Sequence, residues 1–219
     1  MKLNIAACIA ACLFAATAAS ALTFGQIDTF EDGTTGNWVV AAGGAGHPAP
    51  PQNIPDGGPA GAEDNFLLLT AVGGHGPGSH LSVLNMVQWA GSYLATGVNR
   101  ISMNLVNLGS SDLYIRLLFA DPVAGPPTNL AITDAVVLPA GSGWQTAVFA
   151  VSPADLIVLQ GDATALLGAT TQLRIFHSIA PTYPGESIVA LLGVDNILAL
   201  AGEVATGATT WSAVKALYR

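Results

Sequence analysis

The chain has little charge for its length. Of its 219 residues, 9% are charged, with six Lys and Arg against fourteen Asp and Glu. An ordinary globular domain has about 25% charged residues. Nucleic acid is not an expected partner, because phosphate contacts need clustered Lys and Arg and the few here are scattered. Intrinsic disorder is excluded as well, since 51% of the residues are apolar and disorder combines low hydrophobicity with high charge.

Cysteine and long uninterrupted apolar runs are also scarce. The two cysteines, Cys8 and Cys12, lie in the first apolar stretch. Beyond that stretch, the 25 glycines and 13 prolines of the chain interrupt nearly every apolar run, which is not the pattern of a membrane-spanning bundle. We therefore expect a mature chain with no disulfide and no membrane span.

The N-terminus has the order of a secretory signal peptide. Lys2 precedes an apolar stretch over residues 5–16, and small residues ending in Ala19-Ser20-Ala21 follow it. We expect residues 1–21 to be removed as a signal peptide, with both cysteines, and the protein to be secreted or held at the cell surface of a bacterium. The alternative is a lipoprotein cleavage box at residues 9–12, although the apolar core continues beyond it.

Short apolar or alternating runs, bounded by Gly, Pro, Asn, Asp or Ser, predict about ten strands. They lie at 26–30, 38–41, 66–71, 81–86, 101–108, 113–120, 135–138, 145–151, 172–178 and 187–201. In 113–120 the odd-numbered residues are all apolar and are expected to face the core, which places Tyr114 and Arg116 on the opposite face. Two helices are predicted, a short one within Pro153–Gly168 and one from Trp211.

This pattern predicts an all-β fold. Many short strands, long connections and no alternation of strands with helices favour a two-sheet antiparallel jelly-roll sandwich. An immunoglobulin sandwich is the alternative, but it takes about 100 residues and no internal repeat supports a second copy. We expect one domain over residues 22–203, since all-β domains of about 200 residues are common, followed by a C-terminal tail over 204–219.

The acidic residues are concentrated in two informative places. Asp28, Glu31 and Asp32 crowd together before a Gly turn, and Asp195 interrupts the most apolar strand. A buried carboxylate costs several kcal/mol unless it is paired or bound to a metal. Calcium takes roughly six to eight oxygens from carboxylates and backbone carbonyls, so it would resolve the placement of Asp195. The alternative is that these acids cap turns and are solvated.

Three short patches resemble the galactose-binding-like β-sandwich of bacterial carbohydrate-binding modules. They are Phe30-Glu31-Asp32-Gly33 with the following Gly36-Asn37-Trp38, the Trp144-Gln145-Thr146 strand start, and the closing Val194-Asp195-Asn196-Ile197. In that family a structural calcium commonly lies between the first and last strands. The resemblance implies Glu31 and Asp195 as calcium ligands, with Asp28, Asp32 and Asp64 as further candidates. It also implies an extracellular polysaccharide or a cell-surface glycan as the partner.

A sugar-binding site needs an aromatic ring beside the sugar and polar groups for its hydroxyls. The aromatic candidates are Trp89, Tyr93, Tyr114 and Tyr183, with Arg116 beside Tyr114, while Trp38 and Trp144 begin strands and are expected to be core. Tyr183 lies between two prolines and is expected to be exposed.

No G-x-S-x-G, H-E-x-x-H or P-loop motif is present. The sequence therefore favours a secreted, non-catalytic glycan-binding module with a structural calcium ion. The alternatives are a structural or adhesive surface protein and an enzyme of another type.

Overall fold

The computed structural model describes residues 21–40, 46–122 and 126–202. Both cysteines, residues 1–20 of the predicted signal peptide and the predicted tail over 204–219 lie outside these ranges. In the described residues two short helices form, α1 (Tyr93–Thr96) and α2 (Ala163–Gly168). Twelve strands form there as well: β1 (Ile27–Asp28), β2 (Gln52–Ile54), β3 (Phe66–Val72), β4 (Ser82–Asn85), β5 (Val98–Asn107), β6 (Leu113–Asp121), β7 (Asn129–Ile132), β8 (Val136–Leu138), β9 (Gln145–Ala150), β10 (Ile157–Gln160), β11 (Gln172–His177) and β12 (Val189–Ala201).

The strands form two antiparallel sheets of six strands each. Sheet A has the order β2-β3-β12-β5-β9, and β1 also pairs with β12. Sheet B has the order β10-β7-β6-β11-β4, and β8 also pairs with β6. The predicted all-β fold, a two-sheet antiparallel sandwich of jelly-roll type, is confirmed. No helix in the described parts of the chain is both long and apolar enough to cross a membrane.

The core lies between the inner faces of the two sheets. In β6 the predicted inner residues Leu113, Ile115, Leu117 and Phe119 are all fully buried. From sheet A, Leu192 and Val194 of β12 are fully buried and belong to the same apolar cluster as these β6 residues. Burial of one such side chain contributes about 1.5–3 kcal/mol, so the alternation along each strand is enough to specify which face turns inward.

The helix predicted within Pro153–Gly168 is only partly present. Residues 157–160 form strand β10, in which Ile157 pairs with Ile132 of β7, and helix α2 begins only at Ala163. Gly161 separates the two elements with φ of 73°, and the Asp162 side chain accepts a hydrogen bond from the backbone N–H of Ala165. A residue with a positive φ ends a right-handed helix, so one continuous helix cannot run through Gly161.

Strand β12 organises sheet A. One of its edges pairs with β5, and the other pairs first with β3, as far as Val194, and then with β1, from Ile197. The change of partner leaves a gap opposite Asp195 and Asn196, where the pairing with β5 shifts register and Asn196 has φ of 51°. Chain segments that follow β1 and precede β3 therefore meet beside Asp195.

Gly193 gives a direct test of how tightly the outer face of sheet A is packed. A Cβ at this position would meet Val106 Cγ1, and would lie 3.1 Å from Trp144 Cη2 and 3.2 Å from Phe66 Cδ2. Gly193→Ala should lower the free energy of unfolding by about 1–3 kcal/mol, as overpacking does. Urea denaturation measures this change.

Gly168→Ala is the matched control for this substitution. A Cβ at Gly168 has no neighbour within 4 Å, and alanine favours a helix more than glycine does by about 1 kcal/mol. This variant should be as stable as the wild type or slightly more stable. Equal stability of the two variants would contradict the packing described here.

Candidate functional site

The carboxylate of Asp195 lies on the outer face of sheet A, at the gap between β1 and β3. The residue is 1% exposed. Its Oδ1 accepts a hydrogen bond from the backbone N–H of Asn196 at 2.7 Å, and its Oδ2 accepts one from Asn196 Nδ2 at 2.8 Å. Burial, together with the charges of Asp64 and Glu31, raises the pKa of Asp195 to about 7, although the backbone hydrogen bond from Asn196 lowers it. The charges of Glu31 and Asp64 therefore act on Asp195, which places these three carboxylates in one neighbourhood.

The surroundings of these three carboxylates are ordered by hydrogen bonds from the backbone. Glu31 Oε1 accepts from the backbone N–H of Asn65 at 3.0 Å, and Asp64 Oδ2 accepts from that of Ala60. Among the described residues none of the three carboxylates forms an ion pair, since the one pair found there joins His177 and Glu186. No cation within the described ranges balances the negative charge of this group.

Backbone strain accompanies each of the three carboxylates. Phe30, Glu63 and Asn196 are non-glycine residues with φ of 60°, 61° and 51°. They are the immediate chain neighbours of Glu31, Asp64 and Asp195. Such a conformation costs about 1–3 kcal/mol per residue and persists where surrounding structure requires it.

The donor chemistry of this neighbourhood suits a calcium ion, because calcium prefers carboxylate oxygens. Within residues 21–40, 46–122 and 126–202, however, no three His, Cys, Asp or Glu side chains are arranged to hold one metal ion. The three carboxylates act on each other through charge without converging on one point. Ion binding here would require their side chains to turn toward the ion.

Asp28 belongs to a different hydrogen-bonded group from the other predicted metal ligands. Its Oδ2 accepts from Trp38 Nε1 at 2.9 Å, from Trp89 Nε1 at 2.8 Å and from Gln88 Nε2 at 3.2 Å. Burial raises the pKa of Asp28 even though these three hydrogen bonds lower it. The carboxylate whose charge acts on Asp28 is that of Asp32, not that of Asp195.

The aromatic candidates Trp89 and Tyr93 are core residues. Both are fully buried, and the Tyr93 hydroxyl donates to the carbonyl of Trp89 at 3.0 Å. Trp89 has no exposed ring face on which a sugar could stack, because the residue is fully buried and its indole N–H is bonded to Asp28. Trp38 is also core, at 1% exposed, whereas Trp144 is half-buried against the edge of Phe66.

Tyr114 and Arg116 lie on the outer face of sheet B, as the alternation along β6 predicts. Tyr114 is half-buried, but Arg116 is only 6% exposed. The Arg116 guanidinium donates to the carbonyl oxygens of Ser178, Thr133 and Ile179 at 3.0, 3.0 and 3.2 Å. Arg116 therefore holds the loop over residues 178–186 against the sheet, rather than presenting its donors to solvent.

Tyr183 lies in this 178–186 loop and packs on the same face of sheet B. Its ring meets Phe176 edge to face, with 5.6 Å between centroids, and the Arg174 guanidinium lies 5.4 Å from the Tyr183 centroid. Arg174 Nε donates to Gln172 Oε1 at 3.0 Å. Sequence reasoning missed Arg174, although Gln172, Arg174 and Phe176 alternate along β11 with the core residues Leu173 and Ile175.

The loop over 178–186 is also fixed at its far end. Glu186 Oε2 accepts from the backbone N–H of Ile179 at 2.9 Å and lies 3.9 Å from His177 Nε2. His177 Nδ1 accepts from the backbone N–H of Tyr114 at 3.0 Å. Burial lowers the pKa of His177, in keeping with an imidazole that serves as an acceptor. The loop that carries Tyr183 is thus held in place independently of any ligand.

Comparisons with known proteins agree with this geometry at the level of the fold. No protein-family model and no curated protein matches the chain. Among solved structures, the family 11 carbohydrate-binding module from Clostridium thermocellum, in complex with a β-1,3-1,4-mixed-linked tetrasaccharide, has a TM-score of 0.56 at 13% identity, over 82% of this chain and 98% of that one. The chain has the fold of a β-sandwich carbohydrate-binding module.

Two further structures share this module fold. A solution structure of CtCBM11 matches 85% of this chain and 98% of that one, with a TM-score of 0.52 at 14% identity. An exo-β-agarase matches 82% of this chain with a TM-score of 0.55 at 13% identity, but the match covers 25% of the agarase. The same module fold therefore occurs by itself and within a longer enzyme.

Asp195 should make the stability of the module fold depend on pH in metal-free buffer. The ordinary pKa of an aspartate is 3.8, whereas that of folded Asp195 is about 7. Between these values the folded state holds a proton that the unfolded state has released, so the stability contributed below pH 4 is lost as pH rises through about 7. Asp195→Asn does not titrate and should lack this loss.

The measurement is urea denaturation in EDTA at intervals from pH 4 to 8. The free energy of unfolding of Asp195→Asn, minus that of the wild type, should increase with pH. Asp134→Asn, at an exposed position, is the matched control and should follow the wild type. Parallel curves for wild type and Asp195→Asn would show that Asp195 is not perturbed as described.

Proposed function

We propose that the chain is a secreted, non-catalytic glycan-binding module, with its binding surface on the outer face of sheet B. The observation that carries the proposal is the arrangement of Tyr183 and Arg174 on that face. An aromatic ring supplies the apolar contact for the C–H side of a sugar ring, and a guanidinium supplies donors for hydroxyl oxygens. The likeness of the whole fold to a module in complex with a tetrasaccharide supports the same conclusion.

The rigidity of this surface favours binding. Tyr183 is held by Phe176 and Arg174, and its loop is held by Arg116 and Glu186. A ring that is already in place loses little conformational freedom when a ligand binds, which is a main cost of association. Arg116 thus acts as a positioning residue for Tyr183, while Tyr114 extends the half-exposed aromatic surface on the same face.

Binding should be tested by affinity electrophoresis and by pull-down on insoluble polysaccharides, with mixed-linked β-glucan, cellulose, xylan and agarose as probes. Tyr183→Ala and Arg174→Ala should each weaken retention by about tenfold, the equivalent of 1.4 kcal/mol. Tyr114→Ala should weaken it by less, because no cation in the described parts of the chain lies over that ring.

Phe24→Ala is the matched control for the loss of an aromatic ring. Phe24 is 62% exposed and lies beside β12 in sheet A, where Gly25 bonds to Ala199. It should bind as the wild type does. Retention of no polysaccharide by the wild type, or equal retention by Tyr183→Ala and wild type, would refute the proposed surface.

A structural calcium ion held by Glu31, Asp64 and Asp195 is the second part of the proposal. Three carboxylates without a cation in the described residues support it, as does the strained backbone beside each. Calcium would supply positive charge that keeps Asp195 ionised when buried, and Glu31 and Asp64 would bring their oxygens to the same ion. Asp28 is not part of this set, since indole donors occupy its Oδ2.

Calcium should therefore raise the melting temperature, and EDTA should lower it. A ligand at one hundred times its Kd stabilises the folded state by about 2.7 kcal/mol. Asp195→Asn and Glu31→Gln should abolish the calcium-dependent part of the melting temperature, while Asp112→Asn, at an exposed position, should retain it. An identical melting temperature in calcium and in EDTA would remove calcium from the proposal.

A further inference from the structure

A polar cleft of about 620 Å³ opens between the segment after β1 and the segment after β4. Known small-ligand sites have volumes of about 300–1,000 Å³, so this cleft has room for one or two sugar units. Its lining contains none of the residues around Tyr183. A neighbouring pocket shares Asp28, Asp32 and Gly36 with it and is also lined by Glu31, so the cleft borders the carboxylates around Asp195. Its lining includes Asp28, Thr35, Asn37, Val39, Val87 and Gln88.

The carboxylate of Asp28 leaves one oxygen available to a ligand in this cleft. Two buried indoles, those of Trp38 and Trp89, donate to Oδ2, together with Gln88. Among the described residues, Oδ1 receives one long contact, from Gln88 Nε2 at 3.4 Å. A neutral carbonyl could also accept from the two indoles, although a charged acceptor makes the stronger hydrogen bonds. What a carboxylate adds is a second oxygen and a negative charge, which no cation in the described residues pairs with.

Other groups in the cleft complement a polyhydroxylated ligand. Asn37 Nδ2 donates to Gln88 Oε1 at 3.1 Å, which leaves Asn37 Oδ1 as an acceptor. The Thr35 hydroxyl makes no side-chain hydrogen bond within the described parts of the chain and can donate or accept. Val39 and Val87, 42% and 40% exposed, provide apolar contact for the C–H groups of a sugar ring.

The cleft is held in its shape without a ligand. Asn85 Nδ2 donates to the carbonyl of Gly36 at 2.9 Å, and Gln88 Nε2 donates to the same carbonyl. These bonds join the segment after β1 to the end of β4. A preformed cleft of this kind binds without a large ordering cost.

We propose that this cleft is a second saccharide-binding site, which takes one or two units of a neutral sugar, with a hydroxyl donating to Asp28 Oδ1. The charges of Asp28 and Asp32, both in the lining, disfavour sugars that carry carboxylate or sulfate groups. A metal ion fits less well than a sugar, because Oδ2 is already occupied by indole donors. The site goes beyond the proposed surface on sheet B and does not depend on it.

The indole N–H groups of Trp38 and Trp89 are built-in reporters of this site. In a ¹H–¹⁵N correlation spectrum their resonances should move when a ligand binds the Asp28 carboxylate. The indole of Trp144 donates to the carbonyl of Gly57 instead, so its resonance is the internal control, assigned with Trp144→Phe. Glucose, galactose, cellobiose and the mixed-linked tetrasaccharide would be titrated to roughly 50 mM, to detect binding with Kd near 1 mM. Glucuronate, galacturonate and calcium chloride would be titrated separately.

We expect at least one neutral sugar to shift the Trp38 and Trp89 resonances in a saturable way while that of Trp144 stays in place. Asp28→Asn should weaken this binding by tenfold or more, since a hydrogen bond to a charged group is stronger than one between neutral groups. Thr35→Val, a change at the protein surface, should weaken it by about threefold and keeps the test available if Asp28→Asn does not fold. Tyr183→Ala should leave these shifts unchanged, which separates this site from the sheet B surface.

Several outcomes would overturn the inference. They are an absence of shifts with every neutral sugar, shifts with the anionic sugars alone, and the same saturable shifts with calcium chloride alone. If both Asp28→Asn and Thr35→Val fold, wild-type affinity in both would overturn it too. If only Thr35→Val folds, wild-type affinity in that variant would do the same. Loss of polysaccharide retention in Tyr183→Ala with normal indole shifts would instead support two independent sites.

Discussion

The structure depends on how strand β12 meets two requirements at once. Its inner side chains, such as Leu192 and Val194, are fully buried between the sheets. Its edges must also satisfy backbone hydrogen bonds along thirteen residues. Strand β5, with ten residues, covers most of one edge, and no single strand in the described parts of the chain covers the other. Two shorter strands, β3 and β1, share the second edge. In the interval between them β12 shifts register against β5, and Asp195 lies there, where the charges of Glu31 and Asp64 act on it.

Much of this arrangement follows from the sequence. Every odd-numbered residue along 113–120 is apolar, so the pattern predicts both the core face of β6 and the outward position of Tyr114. Charged residues are scarce, at 9% of the chain, so Asp195 stands out in its apolar run. A buried carboxylate is costly unless it is paired or bound to a metal. The proximity of Glu31 to Asp195 came from the resemblance to a family and not from the spacing of the two residues.

Other features depend on contacts that the local sequence does not contain. Strands β2, β7 and β10 have three or four residues each, too few for alternation to be visible, and β10 is a strand because β7 pairs with it. Arg116 and Trp89 were expected to contact a ligand. Arg116 instead bonds to carbonyls as far as 63 residues away, and Trp89 to a carboxylate 61 residues away. Such partners are fixed by the topology, after the strands have been brought together.

Asp28 and Asp195 show two different responses to the burial of a carboxylate. Asp28 is surrounded by donors, two indoles and an amide, which offset part of the cost of removing its charge from water. Asp195 has donors from a single residue, Asn196, and two other carboxylates in its neighbourhood, so its pKa rises to about 7. A bound cation would change the energy of Asp195 far more than that of Asp28. For this reason the carboxylate in the last strand suits a metal ion, whereas the one beneath the cleft suits a ligand that donates hydrogen bonds.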